Sequence, residues 1–128
     1  MKTKKKIFLI DDENIWLETM EHALESESYN VVTADSGHIA LSKLLKVKPD
    51  LILSDVRMPD MNGYDFFEKV KANPRLNKVP FVFMSSLDDY DAKRVAKNIG
   101  ADDYVVKPFD TEEIKRIVLD LFTRFKTL

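Results

Sequence analysis

The sequence predicts an α/β fold, a doubly wound five-stranded parallel sheet in which five βα units follow one another along the chain. Two observations lead to this prediction. Five short apolar runs, most of them without period-2 alternation, have the composition of strands that are covered on both faces. Each run is followed by a segment with helical periodicity, and right-handed crossovers between parallel strands place such helices on both sides of the sheet.

The strands are predicted from apolar runs that stop at polar or charged residues. The first run, residues 7–10, stops at two aspartates, and the third, residues 51–54, stops at Asp55. The fifth run precedes Lys107 and Pro108. The predicted strands cover residues 7–10, 31–34, 51–54, 81–84 and 104–106.

The helices are predicted from apolar residues spaced three or four positions apart. The second helix has the weakest pattern, and Gly100 gives the fourth a C-terminal stop. The fifth begins with Asp110 and Glu113 at the spacing of a capping box. The apolar residues that define the five helices are, in chain order, Trp16, Met20, Ala23 and Leu24; Ala40, Leu44 and Val47; Phe66, Phe67 and Val70; Ala92, Val95, Ala96 and Ile99; and Ile114, Ile117, Val118, Leu121, Phe122 and Phe125.

Length and composition predict a single domain over residues 1–128. A chain of 128 residues can bury one sizeable core, and no linker or internal repeat divides it. The net charge of −2 gives no general attraction to nucleic acid or acidic membranes. The absence of cysteine excludes disulfides and thiolate chemistry, and no apolar stretch approaches the roughly 20 residues that cross a bilayer.

Carboxylates, hydroxyls and a lysine collect at the carboxyl ends of the predicted strands, the edge where open α/β sheets bind ligands. Carboxylates that lie close together raise one another's pKa values unless a cation neutralises them. Oxygen ligands without His or Cys suit Mg²⁺ or Mn²⁺, and His22 and His38 fall within helices away from this edge. The residues at the edge are Asp11, Asp12, Asp55, Ser85, Ser86 and Lys107.

The residues alone leave three roles open for Asp55 beside a cation: metal ligand, general base or nucleophile. A carboxylate that attacks phosphorus forms an acyl phosphate, and the oxygens of the transferring group then need stabilisation from several sides. Lys107 can supply a charge and Ser85 a hydrogen bond. Taken singly, these residues have simpler explanations as caps, turns or loop residues, but their joint position at one edge favours phosphoryl chemistry.

The chain resembles a receiver domain of a two-component response regulator. The resemblance covers about residues 6–125 and implies a flavodoxin-like (βα)5 fold with strand order 2-1-3-4-5. Several separate segments carry it, which makes it specific. The matching residues are Asp11 and Asp12, then Asp55, Met58, Pro59, Met61 and Gly63, then Ser85, and finally Tyr104, Val105, Val106, Lys107, Pro108 and Phe109.

The resemblance implies that Asp55 accepts a phosphoryl group from a histidine kinase, a phosphotransfer protein or a small phosphodonor. Asp12, Asp55 and the main-chain carbonyl of Arg57 would ligate Mg²⁺, while Asp11 acts directly or through water. Arg57 and Leu87 occupy variable positions beside the site, where the family tunes the rates of phosphorylation and dephosphorylation.

The resemblance also assigns residues to the phosphoryl group and to a switch. Lys107 would pair with the phosphoryl oxygens, and its peptide bond to Pro108 would be cis. Ser85 stands where the family has Thr or Ser and would move to bond a phosphoryl oxygen. Tyr104 occupies the aromatic switch position and would swing inward in the active state.

The implied function is signalling, with no chemistry beyond the domain's own phosphorylation and dephosphorylation. Phosphorylation would change the face formed by the fourth helix, fifth strand and fifth helix, so that it binds an output partner or forms a homodimer. A sensor histidine kinase or phosphotransfer protein would act upstream, in the cytoplasm, with no direct contact to nucleic acid or membrane. The chain would be a stand-alone receiver or the N-terminal domain of a longer regulator.

Two other classes fit the sequence less well. An aspartyl phosphohydrolase needs a second aspartate two residues beyond its nucleophile, where this chain has Arg57. It generally also carries an inserted cap, for which 128 residues leave little room. A flavodoxin-type carrier needs a phosphate-binding loop rich in Ser, Thr and Gly after the first strand, where this chain has Asp11, Asp12, Glu13 and Asn14.

Overall fold

A computed structural model of the protein describes residues 4–86 and 91–125, which form alternating strands and helices. The elements are β1 (Lys6–Ile10), α1 (Asn14–Glu25), β2 (Asn30–Ala34), α2 (Gly37–Leu44), β3 (Leu51–Asp55), α3 (Gly63–Lys71), β4 (Phe81–Ser86), α4 (Ala92–Ile99), β5 (Asp103–Lys107) and α5 (Thr111–Arg124). The strands form one parallel sheet in the order β2-β1-β3-β4-β5. Both the predicted fold class and the strand order implied by the resemblance are confirmed.

Two apolar layers cover the sheet because successive side chains of a strand point to opposite faces. Ile7 and Leu9 of β1 pack with α1 and α5, whereas Phe8 and Ile10 pack on the other side with α2, α3 and α4. The second layer contains an aromatic cluster in which the rings of Phe66, Phe67, Phe81 and Phe83 lie 4.9–5.8 Å from their neighbours. These layers hold the strands rigidly and so fix the edge where their carboxyl ends meet.

The outer strands of the sheet are less buried than the central ones. Every residue of β3 is buried, whereas Val31 and Val32 of β2 are only half-buried and Val106 of β5 is exposed. The prediction of continuous, two-sided burial therefore holds for the inner strands. The exposed side of β5 remains open to solvent next to α4 and α5.

The helices lie close to the predicted positions, with two differences at their C-terminal ends. Asp110 and Glu113 form the predicted capping box of α5, and Gly100 ends α4 in the left-handed conformation, with φ 94°. Val47, predicted to continue α2, lies beyond its end at Leu44, and Phe125, predicted in α5, is the capping residue after its end at Arg124. Among the described residues, no helix has both the length and the apolar character needed to span a membrane.

Candidate functional site

Two buried aspartates mark the carboxyl edge of the sheet. Asp55 is the last residue of β3 and is 7% exposed, and Asp11 directly follows β1 and is 0% exposed. The amide of Asp11 donates to the carbonyl of Ala34 (3.2 Å), and its carboxylate accepts the amide hydrogen of Glu13 (3.0 Å). The loop that carries Asp11 is therefore fixed to the end of β2 and to the start of α1.

Lys107, the last residue of β5, extends between these two carboxylates. Its Nζ lies 2.8 Å from Asp11 Oδ2, 3.4 Å from Glu13 Oε1 and 3.5 Å from Asp55 Oδ2. The peptide bond to Pro108 is cis, as the resemblance implied. A charge that is buried to this degree persists only when it is paired, and here the ammonium is paired most closely with Asp11.

The pKa values of the two buried carboxyl groups and of the lysine are all raised. Burial raises the pKa of Asp55 to about 6, and the charge of Asp11 adds to this, whereas Lys107 and a hydrogen bond from the amide of Arg57 act in the opposite direction. Burial also raises the pKa of Asp11 despite its hydrogen bond with Lys107. Burial alone would lower the pKa of Lys107, but Asp11, Asp55 and Glu13 raise it.

The carboxylates at this edge fit a divalent cation. Asp11, Asp12 and Asp55 each offer one oxygen, and these oxygens lie within 4.8 Å of one another. Asp12 is exposed, so the group opens to solvent on one side. A set of hard oxygen donors with more negative charge than Lys107 balances is the chemistry that Mg²⁺ and Mn²⁺ favour.

Three other residues were predicted to lie beside this cluster: Ser85, Arg57 and Leu87. Ser85 is buried in β4, one position beyond the residue that pairs with Asp55 in the sheet. The side chain of Arg57 is exposed, while its backbone faces Asp55. Leu87 lies outside the described residues.

Tyr104 does not belong to the carboxylate cluster. It lies three residues before Lys107 in β5, and an odd separation places two side chains on opposite faces of a strand. Tyr104 packs against the layer that contains α2, α3 and α4, and it lines a cavity of about 210 Å³ with Ala96 and Ala101. The ring is half-buried.

The connection from β3 to α3 passes unusually close to the end of β3. The amide of Gly63 donates to the carbonyl of Val56 (2.8 Å). A Cβ atom at Gly63 would lie 2.5 Å from the carbonyl oxygen of Asp55 and 2.7 Å from that of Val56. Asn62 caps α3 by accepting the amide hydrogen of Tyr64. Glycine is required at position 63 because the backbone of Asp55 and Val56 leaves no room for a side chain.

Asp60 links the same connection to α2 through hydrogen bonds that were not predicted from the sequence. Its carboxylate accepts the amide hydrogens of Gly37 (3.0 Å) and His38 (2.8 Å), and it also contacts the ring of His38. Burial acts to raise the pKa of Asp60, but these hydrogen bonds outweigh it and lower the pKa to about 2. The rest of the His38 side chain is exposed, and so is that of His22.

Two further residues near Lys107 were not assigned to the site from sequence. Glu13 contacts the ammonium, and its position directly after the acidic pair could have suggested this. Trp16 was interpreted only as part of the apolar stripe of α1. Its ring centroid lies 5.8 Å from Lys107 Nζ and 4.8 Å from the centroid of Phe109.

Comparisons with known proteins agree with the fold. Residues 7–119 match the family described as response regulator receiver domain. The transcriptional regulatory protein CrdR of Helicobacter pylori is 35% identical over 119 residues, which are 93% of this chain and 55% of that protein. The chemotaxis response regulator CheY4 of Vibrio cholerae is 30% identical, with a TM-score of 0.86 over 93% of this chain and 99% of that one. The phosphorylated cyanobacterial phytochrome response regulator RcpA is 25% identical, with a TM-score of 0.81 over 96% and 94% of the two chains.

The curated relatives are longer than this chain, which spans about half of their length, between 44% and 55%. The solved receiver structures, in contrast, match it along nearly their whole length. Sequence pattern, strand order and related structures all lead to the same assignment. The chain therefore belongs to the receiver domain family of two-component response regulators.

Proposed function

We propose that Asp55 is the phosphoacceptor of this receiver domain and that its phosphorylation controls a binding surface. Receiver domains are signalling domains rather than classical enzymes. The donor would be a histidine kinase, a phosphotransfer protein or a small phosphodonor. The observation that carries the proposal is the position of Asp55, buried at the end of β3, in one cluster with Asp11 and Asp12 and 3.5 Å from Lys107.

Asp12, Asp55 and the main-chain carbonyl of Arg57 would hold Mg²⁺, with Mn²⁺ as a substitute and Asp11 acting directly or through water. The clustered oxygens and the excess of negative charge support this assignment. When bound, the cation would neutralise the carboxylates and the phosphoryl oxygens and hold them together. We therefore expect phosphorylation to depend on Mg²⁺.

In the transfer, a carboxylate oxygen of Asp55 forms a bond to phosphorus. The bond from phosphorus to the donor atom breaks, and the donor keeps that electron pair. With a pKa of about 6, Asp55 is largely ionised at neutral pH and so can attack. Lys107 would then leave Asp11 to pair with the phosphoryl oxygens, and Ser85 would donate a hydrogen bond to one of them.

The new charge would be transmitted along β5 and the end of β4. Phosphorylation adds close to two negative charges and three acceptor oxygens. As Lys107 and Ser85 turn toward them, Tyr104 would move inward, and the cavity that it shares with α4 offers space for that movement. The face formed by α4, β5 and α5 would then bind an output partner or a second copy of the domain, to the extent that the phosphoryl group favours that state.

The setting of the domain is proposed from its relatives. The solved RcpA regulator is described as phosphorylated, and CrdR is a transcriptional regulator of about twice the matched length. We propose either a stand-alone receiver or the N-terminal domain of a longer regulator, in the cytoplasm, without direct contact of this domain to nucleic acid or membrane. The single-domain boundary, residues 1–128 with a core at about 6–125, stays a prediction.

Intact-mass spectrometry after incubation with acetyl phosphate tests the proposal. We expect one added phosphoryl group, dependent on Mg²⁺, removed by hydroxylamine and absent from Asp55→Ala. Asp35→Ala removes an exposed aspartate that directly follows β2. This variant should be phosphorylated like the wild type. An adduct that persists in Asp55→Ala would show that the phosphoacceptor is a different residue.

A wild-type protein that gains no phosphoryl group would next be titrated with BeF₃⁻ and Mg²⁺. Binding that requires Asp55 would show a competent site with a more demanding donor or rapid hydrolysis. If BeF₃⁻ also failed to bind, the phosphoacceptor proposal would be wrong.

A further inference from the structure

We infer that Trp16 is a positioning residue for Lys107, through contact of its indole ring with the lysine ammonium. The inference rests on the proposed function, because Lys107 is assigned to the phosphoryl oxygens there. It adds a residue of α1 to a site otherwise built from strand ends. The ammonium lies 5.8 Å from the ring centroid, within the range of about 6 Å at which cation–π attraction acts.

Lys107 needs such a neighbour because its side chain is long and flexible. Its carboxylate partners draw the ammonium in one direction, most strongly toward Asp11 at 2.8 Å. The lysine side chain is only 11% exposed, so its surroundings decide where the ammonium can go. An aromatic face stabilises a cation without a fixed hydrogen-bond direction, which allows the ammonium to move between Asp11 and a group on Asp55 while it stays near the ring.

Trp16 contacts both ends of the short segment from Lys107 to Phe109. Its ring packs on that of Phe109 with centroids 4.8 Å apart and an interplanar angle of 59°. The segment between the two contacts contains the cis peptide to Pro108. Trp16 belongs to the first turn of α1, directly after the loop that carries Asp11 and Asp12, so the ring joins the acidic loop to the end of β5.

The indole nitrogen supports the same interpretation. Within the described residues, Trp16 Nε1 is buried and has no hydrogen-bond partner. A buried donor without a partner is unfavourable, so the ring is held in place by its faces and edges and not by its N–H group. Phenylalanine at this position would keep an aromatic face and remove the unpaired donor.

Phosphorylation kinetics in a double-mutant cycle provide the test. We expect Trp16→Leu to lower the rate constant of phosphorylation at saturating acetyl phosphate and Mg²⁺ by about fivefold, the effect of losing one partly desolvated cation–π contact. Trp16→Phe should restore most of the rate. In a Lys107→Met background, Trp16→Leu should have no further effect, because the ammonium on which it acts is gone.

A matched control separates positioning from general loss of packing. Tyr29→Leu removes another half-buried aromatic of the same layer, which stacks on Phe122 away from the site. This variant should lose stability without a change in the phosphorylation rate constant. If Trp16→Leu slowed phosphorylation equally with and without Lys107, Trp16 would have only a structural role.

Fluorescence tests the contact without any change at Trp16, the only tryptophan of the chain. Addition of BeF₃⁻ and Mg²⁺ should alter the indole emission of the wild type, because the ammonium moves relative to the ring. The change in emission should be much smaller in Lys107→Met, which has no ammonium. Unchanged wild-type emission at saturation, confirmed by intact mass under native conditions, would overturn the inference while leaving Asp55 as phosphoacceptor. Absence of both BeF₃⁻ binding and phosphorylation would instead refute the proposed function, and this inference with it.

Discussion

Asp55 must satisfy two conflicting demands at a single position. Burial at the end of β3 limits the access of water to the carboxylate, which would protect the proposed acyl phosphate, but it also makes the ionised form costly. Lys107 and the amide of Arg57 offset part of that cost, and the pKa still rises to about 6. Asp55 is therefore ready to bind a cation, because the cation offsets a buried negative charge that is otherwise unfavourable.

Replacing Asp55 by asparagine should stabilise the protein in the absence of divalent cations. The folded-state pKa of about 6 lies above the ordinary value of 3.8 for an aspartate, so the folded state holds its proton to higher pH and stability falls as pH rises between these values. At neutral pH the gain for Asp55→Asn should be about 2 kcal/mol, and it should shrink toward zero near pH 4. Urea unfolding in EDTA at several pH values measures it.

Asp35→Asn is the matched control for that experiment, since it makes the same chemical change at an exposed position. Its unfolding free energy should stay within about 0.5 kcal/mol of the wild type at each pH. A gain for Asp55→Asn that did not vary with pH would contradict the electrostatic explanation.

The connection from β3 to α3 transmits the position of Asp55 to two helices. Gly63 brings the start of α3 against the backbone of Asp55, and Asp60 holds the start of α2 through two amide hydrogens. The loop that would carry a metal ligand, the carbonyl of Arg57, is thus fixed at its far end by both helices.

Gly63→Ala should disturb the site as well as the fold. The added Cβ would lie 2.5 Å from the carbonyl oxygen of Asp55, and this backbone atom can yield only if β3 or α3 shifts. We expect a loss of about 1–3 kcal/mol in unfolding free energy, as for other overpacked positions, together with slower phosphorylation by acetyl phosphate. Chemical unfolding and intact-mass kinetics on the same samples measure both.

Gly100→Ala provides the comparison for Gly63→Ala. A Cβ at Gly100 meets nothing within 4 Å, but the φ of 94° is unfavourable for alanine. This variant should lose about 1 kcal/mol of stability and keep its phosphorylation rate. Equal rates for the two variants would show that the close approach at Gly63 does not affect the site.

Asp60→Ala should weaken the start of α2 in a pH-dependent way. The folded-state pKa of about 2 lies below the ordinary value of 3.8 for an aspartate, so the stabilisation is present above about pH 4 and is lost as pH falls toward 2. Removing a cap of this kind costs about 1 kcal/mol at neutral pH. Asp60→Asn retains one acceptor oxygen and should lose less. Urea unfolding at neutral and acidic pH measures the difference, and a deficit for Asp60→Ala that stayed constant down to pH 2 would contradict this role.

The elements were predictable from sequence wherever local pattern and tertiary burial agree. The central strands are continuous apolar runs because both faces are covered, and α5 has a complete apolar stripe with a capping box. Val47 was wrongly added to α2 because the apolar spacing continues after the helix ends. There Arg75, distant in sequence, donates to the carbonyls of Leu44 and Val47, and local periodicity carries no information about such a contact.

The site was predictable only as far as strand ends identify it. The meeting of Asp11, Asp55 and Lys107 follows from parallel topology, since carboxyl ends share one edge. The order of distances within the cluster does not follow, because Lys107 and Asp11 are 96 residues apart and side-chain packing decides which carboxylate is nearer. The contribution of Trp16 was hidden for the same reason, since apolar periodicity already accounted for its place in α1.

Across the whole molecule, the sheet connects the carboxylate cluster to a distant surface. Lys107 and Tyr104 lie on opposite faces of one edge strand. A displacement of β5 at its carboxyl end would therefore change the packing in both apolar layers. Arg124 of α5 pairs with Asp103 at the other end of β5. The central strands are paired on both sides and buried, which leaves β5 and its neighbours as the part most able to respond.

BeF₃⁻ with Mg²⁺ should therefore change the amide NMR spectrum unevenly across the protein. We expect large shifts at residues 91–109, which include α4 and β5, and at the loops of Asp11 and Asp55, with small shifts in β2. The ligands bind only the native state, so they should also raise the free energy of unfolding, by about 2.7 kcal/mol at a hundredfold excess over Kd. Asp55→Ala should abolish the shifts and the stabilisation together. Stabilisation of the wild type without shifts at residues 91–109 would mean that the site binds the analogue but does not control the α4-β5-α5 face.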